Sequence, residues 1–206
     1  MTYDALNLAG KTALVTGGST GIGLAAAQLL AARGAQVLIT GRNEDRLRDA
    51  AATIPGAAWL SNDAADPAAA DALAAWATTR TSRLDIVVLN AGVTPFGPPE
   101  GYGPERIDPL LAANIAGPWL QLRALDPLLA DHGAIIGIGS IAGSKSAPAN
   151  ALYGASKAAL SLYLRALAPH YGARRIRVNV VSPGPVDTPA WGKTGLPEAV
   201  VDQIRE

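Results

Sequence analysis

The sequence predicts an α/β domain built on a doubly wound parallel sheet. Three observations predict it. Apolar runs of strand length recur along the chain and are nearly continuous, as strands buried on both faces are. Segments rich in Ala and Leu, with helical spacing, alternate with those runs. A glycine-rich turn joins the first run to the first helical segment. At 206 residues the chain fits one domain, residues 1–206, with room for a sizeable core.

The elements follow in order. The first strand is "TALVT" (12–16), and after its glycine turn a helix begins near Gly21. That helix, "GLAAAQLLAARG", is closed by Gly34 just past its last turn, where a left-handed residue is needed. "QVLIT" (36–40) is the second strand, followed by a charged helix over 43–53. "AAWLS" (57–61) and a helix over 67–80 come next, then "LDIVVLN" (84–90). A long helix spans 104–130, opened by Pro104, whose fixed φ suits a first helical position. "GAIIGIGS" (133–140), a helix over 151–171 and "IRVNVVS" (176–182) complete the alternation. "LPEAVVDQIRE" (196–206) reads as the start of one more helix, with Pro197 early in it. Parallel crossovers of this kind place a ligand outside the carboxyl ends of the strands.

Composition narrows the function classes. Seventeen basic residues balance seventeen acidic ones, so the basic excess of a nucleic-acid surface is missing. There is no cysteine, hence no disulfide and no thiolate metal site. His132 and His170 lie far apart and read as solvated residues, so no metal is expected. The amino terminus lacks a basic stretch followed by an apolar one, and no apolar run nears a membrane span. A cytoplasmic protein is the expectation, with no membrane partner.

The glycine turn raises the first chemical question. Glycines 17, 18, 21 and 23 crowd into "VTGGSTGIG" (15–23). Bare backbone between a first strand and its helix lets a phosphate approach, and the helix N-terminus offers it free N–H groups and a partial positive charge. A dinucleotide site follows. The spacing is Gly17-xxx-Gly21-x-Gly23, not the commonest GxGxxG.

Tyr153 and Lys157 stand four apart in a helix and share a face. A nearby ammonium favours the phenolate, which makes a tyrosine usable as a general acid/base near neutrality. A stray Tyr and Lys on an exposed helix is the plain alternative. Ser140, at the carboxyl end of a central strand, can hydrogen-bond a substrate oxygen; a capping or turn serine is its alternative. In an unbroken helix the N–H of residue 118 would bond the carbonyl of Asn114. Residue 118 is proline and has no N–H, so a kink or a helix end is expected there.

Taken together, "TGGSTGIG", "NAG" (90–92), Asn114, Ser140, "YGASK" (153–157) and "PGPVDT" (183–188) resemble, in order, the motifs of the classical short-chain dehydrogenases/reductases, over roughly residues 8 to 195. The resemblance implies a Rossmann-like fold and a catalytic set of Asn114, Ser140, Tyr153 and Lys157. Ser140 would position a carbonyl, Tyr153 exchange the proton and Lys157 also hold the nicotinamide ribose. The backbone carbonyl of Asn114 would hold a relay water. The cofactor would meet Gly17, Ser19, Thr20, Gly21, Ile22, Gly23, Arg42, Asp63, Asn90, Ala91, Gly92, Tyr153, Lys157, Pro183, Gly184, Val186 and Thr188. Asp63 would contact the adenine, with a capping aspartate as its alternative. Trp191 and Pro189 would line the substrate loop or only pack it.

Gly41 stands where NAD-preferring relatives carry an acidic residue, and Arg42 follows it. A guanidinium there suits a 2′-phosphate, so NADP is expected over NAD; a solvated Arg is the alternative. The expected reaction is hydride transfer between NADP(H) and a small carbonyl compound or secondary alcohol. A 3-oxoacyl-carrier-protein reductase would want a basic patch, and the sole candidate is "GARRIR" (172–177). A non-catalytic dinucleotide-binding regulator is the other alternative. A homo-oligomer paired through helices 104–130 and 151–171 is expected, a dimer ahead of a tetramer. Members of the family continue past the position of Glu206, so a truncated chain is expected, with 189–206 the start of a substrate lid, the C-terminal strand and helix missing, and a bare apolar edge at 176–182.

Overall fold

The computed structural model describes residues 7–145, 148–193 and 202. Among these residues the apolar runs become six parallel strands: β1 (Thr12–Val15), β2 (Gln36–Gly41), β3 (Ala58–Ser61), β4 (Leu84–Leu89), β5 (Leu129–Ile138) and β6 (Arg177–Val181). Their order is β3-β2-β1-β4-β5-β6. The order reverses between β1 and β4, where Val15 lies opposite both Ile39 and Val88.

Among the described residues six α-helices cover the two faces: α1 (Gly21–Ala32), α2 (Glu44–Ala52), α3 (Ala68–Thr78), α4 (Pro104–Leu111), α5 (Gly117–Leu125) and α6 (Ala151–Gly172). Ala13, Val15, Val37 and Ile39 pack with Ala27 of α1 and Leu47 of α2. Leu14 and Leu38, one residue out of phase, pack with Leu73, Leu122 and Leu160 of α3, α5 and α6. This period-two split explains the unbroken apolar runs: Ala13 to Val15 and Val37 to Ile39 alternate between helices on one face of the sheet and helices on the other.

Helix α1 ends as its glycine requires. Gly34 has φ +96°, its N–H donates to Ala31 O at 2.8 Å, and the N–H of Ala35 donates to Leu30 O at 3.1 Å. These are the two bonds of a Schellman closure.

The long helix expected over 104–130 is broken. α4 gives way to a π-helical turn, Ala112–Ala116, before α5 begins. Within it the N–H of Gly117 donates to Ala112 O, five residues back. Pro118 is the cause, since it withholds the donor that a regular turn needs. A short 3-10 turn, Asp126–Leu128, then ends the helix. β5 begins at Leu129, ahead of the expected 133. Between the pairs Leu84–Leu129 and Ile86–Ala134 the register shifts, and His132 takes a left-handed φ of +63°. Arg174 ties this irregular start down, donating to Leu129 O and, at 3.0 Å, to the Asp131 carboxylate.

At the amino end of β4, Asp85 accepts from the N–H of Thr12 at 3.0 Å and from Lys11 Nζ at 2.9 Å, with Arg83 Nε 3.5 Å away. Burial alone would raise its pKa. The Thr12 N–H and the two cations outweigh that and hold it below the usual carboxylate value.

Among the described residues β6 pairs with β5 alone, and Val181 at its end is exposed. No described helix is long and apolar enough to cross a membrane. The helix expected over 196–206 lies, apart from residue 202, outside the described residues.

Candidate active site

The loops beyond the carboxyl ends of all six strands enclose one cleft of about 780 Å³. Its first wall is the glycine turn. Gly17 and Gly21 have φ of +64° and +55°, a region that other residues rarely adopt. Two side chains hold the turn against β4. Thr16 Oγ accepts from the N–H groups of Asn90 and Ala91, both at 3.0 Å. Asn90 Nδ2 donates to the carbonyls of Thr16 and Gly17 at 2.9 and 3.0 Å. A Cβ added to Gly23 would lie 2.3 Å from the Gly17 carbonyl oxygen. Only bare backbone lets α1 sit so close to the turn. Thr20 caps α1 without a side-chain bond, and the first turn carries no acidic residue. Its leading N–H groups are therefore left for an anion.

Gly17, Ser19, Thr20, Gly21 and Ile22 line the cleft on that side. Arg42 and Asp63 line it beyond β2 and β3, Asn90, Ala91 and Gly92 beyond β4, and Pro183, Gly184, Val186 and Thr188 beyond β6. Thr188 folds over the turn: its Cβ is 3.1 Å from a Cβ built on Gly21. Gly23 and Asn114 are not on the wall but behind it, both buried. Asp63 Oδ1 accepts from the N–H of Ala65 at 3.0 Å in a turn ahead of α3, which begins at Ala68 with Pro67 as its N-cap, so Asp63 does not cap that helix; it lines the cleft.

Arg46 joins Arg42 on this wall, although the resemblance does not imply it. Asn43 Oδ1 accepts from the Arg46 N–H at 2.8 Å and starts α2, so Arg46 stands in the first turn of the helix and Arg42 just ahead of its cap. The pair was visible in "GRNEDR" as two arginines at a spacing of four.

Ser140, Tyr153 and Lys157 line the other end of the same cleft. Close packing of α6 on β5 brings them there. A Cβ on Gly137 would meet Leu164 Cδ1 at 2.2 Å, so that glycine lets the helix down onto the strand. Lys157 is 5% exposed and donates from Nζ to Ile138 O at 2.8 Å. Nζ lies 5.9 Å from the centre of the Tyr153 ring. Among the described residues no carboxylate pairs with this amine. Burial lowers its pKa from the ordinary 10.5 to about 8. It is thus still largely an ammonium at pH 7, held beside the phenol. Ser140 Oγ accepts from the N–H of Ala142 at 3.1 Å, so the serine does cap a turn. That bond uses a lone pair and leaves the hydroxyl proton to be donated.

The side chain of Asn114 has a task of its own. Oδ1 accepts from the Val93 N–H at 2.8 Å, and Nδ2 donates to Val93 O at 2.9 Å and to Ser156 Oγ at 3.0 Å. Ser156 in turn donates to Tyr153 O at 2.7 Å. One amide therefore ties the loop after β4 to the helix that carries Tyr153 and Lys157. Its backbone carbonyl lies in the π-helical turn, where the i+4 bond cannot form because residue 118 is proline.

The chain resembles known proteins along most of its length. Residues 11–198 match the short chain dehydrogenase family. An oxidoreductase of Sarocladium schorii is 37% identical over 199 residues, covering 92% of this chain and 79% of that protein. The versicolorin reductase of Emericella nidulans is 35% identical over 194 residues, covering 90% of this chain and 72% of its own. A short chain dehydrogenase from Burkholderia cenocepacia, solved in complex with NADP, superimposes with a TM-score of 0.88 at 36% identity, over 96% of this chain and 82% of that one.

Proposed function

The chain belongs to the short chain dehydrogenase family of oxidoreductases, and from that premise we propose that it interconverts a carbonyl group and a secondary alcohol by hydride transfer with NADP(H), Tyr153 acting as the general acid/base. One observation carries the reading: a buried lysine, held by Ile138 O at 2.8 Å beside Tyr153, lines the same cleft as the glycine turn.

The residues fit the cofactor. The cradle at Gly17 and Gly23 has no room for a Cβ, and the uncapped start of α1 suits a pyrophosphate. Arg42 and Arg46 suit a 2′-phosphate, and the Burkholderia protein with NADP supports that choice over NAD. Bound there, a reduced nicotinamide supplies the hydride. In the reductive direction the Ser140 hydroxyl donates to the substrate oxygen and orients it. Tyr153 gives its phenolic proton to that oxygen, which leaves an alcohol and a phenolate. The Lys157 ammonium stabilises the phenolate and would hold the ribose. A water on the carbonyl of Asn114, which lacks its i+4 donor, would return the proton from solvent. Positioning contributes much of the rate, because the reacting carbons must meet at about 3–3.5 Å.

The test is loss of absorbance at the nicotinamide band with NADPH and a ketone panel, with Tyr153→Phe run beside it. Consumption by the parent and not by the variant supports the reading. NADPH binding without consumption across the panel would favour a dinucleotide-binding regulator. The pairing expected between subunits also has support. Trp119 of α5 is 50% exposed yet stacks on Tyr163 of α6, ring centres 4.3 Å apart, and Leu162 beside it is 63% exposed. A homodimer would cover this patch. Sedimentation tests it, with Leu162→Glu expected to shift the protein to monomer.

A further inference from the structure

We propose that the substrate is a free, ring-bearing apolar ketone, and not an acyl chain delivered by a carrier protein or a small polar ketone; this rests on the oxidoreductase reading above. The deciding surface is the part of the cleft near Ser140 and Tyr153. The loop after β4 carries Phe96 there and the loop after β6 carries Trp191, both half-buried and both lining the cleft. Their ring centres are 6.4 Å apart with planes tilted by 35°. At this distance the two rings touch as an aromatic pair and form one apolar wall, on which a flat apolar body can stack.

The indole N–H of Trp191 donates to Val186 O at 2.8 Å, so its polar edge is turned into its own loop. Ile141 and Val186 also line the cleft and are 44% and 40% exposed, large apolar side chains left open to water. An apolar ligand would remove that surface from water. The Phe96 wall is fixed in advance. Arg106 donates to Phe96 O at 2.8 Å and to Gly101 O at 3.2 Å, and lies 4.8 Å from the Tyr102 ring centre. Preorganisation of this kind favours a rigid ligand.

A carrier protein needs a different mouth. Its acidic surface would call for several cations at the rim. Here the Arg106 guanidinium is spent on backbone carbonyls, and Lys145 shares the cleft with Glu105. The run at 172–177 leads into β6 at its amino end, away from the cleft, and Arg174 is paired with Asp131.

The experiment compares kcat/KM, with NADPH, for 1-tetralone, hydroxyacetone, the acetoacetyl thioester of N-acetylcysteamine and the same acyl group on an acyl carrier protein. Tetralone should exceed hydroxyacetone by a hundredfold or more, and the carrier should add less than threefold over the small thioester. Phe96→Ala and Trp191→Ala should each cut the tetralone-to-hydroxyacetone ratio at least tenfold, with Trp191→Phe restoring most of it. Equal efficiency for the two ketones, a tenfold gain from the carrier, or a ratio unmoved in both alanine variants would overturn the inference while leaving the oxidoreductase reading intact. If no carbonyl compound consumes NADPH, both fall together.

Discussion

Two charged side chains lie at opposite ends of the sheet, Asp85 at 6% exposure and Lys157 at 5%. Their exposures match, but Asp85 lies near the surface beneath the exposed Lys11 and Arg83 whereas Lys157 is deep, and the two are oppositely treated. Asp85 has a backbone N–H, an ammonium and a guanidinium around it, and these keep it charged. Lys157 has the Ile138 carbonyl and no carboxylate among the described residues, and burial pushes it towards the neutral amine. A fully met charge holds the structure together. An under-met one costs stability, and the fold tolerates that cost beside the cleft.

The strongest way to break this contrast is to remove the groups at the carboxyl end. Tyr153→Phe should lower kcat by about 10²–10⁴, the usual worth of a general acid/base, with NADPH affinity within threefold. Lys157→Met should lower kcat by at least about 10² as well, yet leave the melting temperature unchanged or raised, because an under-compensated buried charge is gone. A melting temperature lowered by several degrees would mean that the lysine is structural, as Asp85 is.

The pH dependence sharpens the same point. Lys157 has a folded pKa of about 8 against an ordinary 10.5. Between those values the unfolded chain holds a proton that the folded one has lost, so stability should rise with pH across that window, by up to about 3 kcal/mol. Denaturant midpoints at pH 7 to 10.5 measure it, and Lys157→Met should flatten the slope. Catalysis should move the other way, kcat/KM falling above about pH 8 as the ammonium beside Tyr153 disappears. Asp85 gives a slope of the same sign in a different window: its pKa is also lowered, so the stability it contributes is present above 3.8 and is lost as pH falls from there through its lower folded pKa.

Asp85→Asn is the matching cut at the amino end. Hydrogen bonds to a charged group are worth about 1.5–3 kcal/mol, and a chain of this size loses about 2–4 °C per kcal/mol. A fall of several degrees is expected, with kcat/KM of the folded protein within twofold of the parent. Arg42 is a third kind of charge, exposed on the cleft with no carboxylate against it among the described residues. Arg42→Ala should raise KM for NADPH about tenfold and leave NADH unaffected, with no change in melting temperature. Equal losses with both cofactors would remove it from the 2′-phosphate site.

The contrast also explains which parts of the molecule were legible in the sequence. The strands were, because both faces of β1 and β2 are covered and leave unbroken apolar runs. The glycine turn was, because close approach leaves no room for any other residue at Gly23. The break within 104–130 was half legible: Pro118 announced it, but a π-helical turn keeps helical periodicity and hides its own length. The early start of β5 was not legible, since Arg174 fixes it from far along the chain. The amide of Asn114 was hidden for the same reason, with Val93 and Ser156 as partners 21 and 42 residues away.

The smallest expected effect concerns that asparagine and separates its two tasks. Its side chain secures Val93 and Ser156, a positioning duty that any intact fold would keep. Its carbonyl would serve the relay water, and only because residue 118 offers no N–H. Pro118→Ala restores that donor without touching the amide. The regained helical bond would compete with the water, and one hydrogen bond is worth about 1 kcal/mol, or roughly fivefold in rate. So kcat should fall about fivefold while KM for NADPH and the melting temperature hold or improve. A slower enzyme on a firmer helix means that the carbonyl works in catalysis. An unchanged kcat on the same firmer helix would leave Asn114 a purely structural residue, closer in kind to Asp85 than to Lys157.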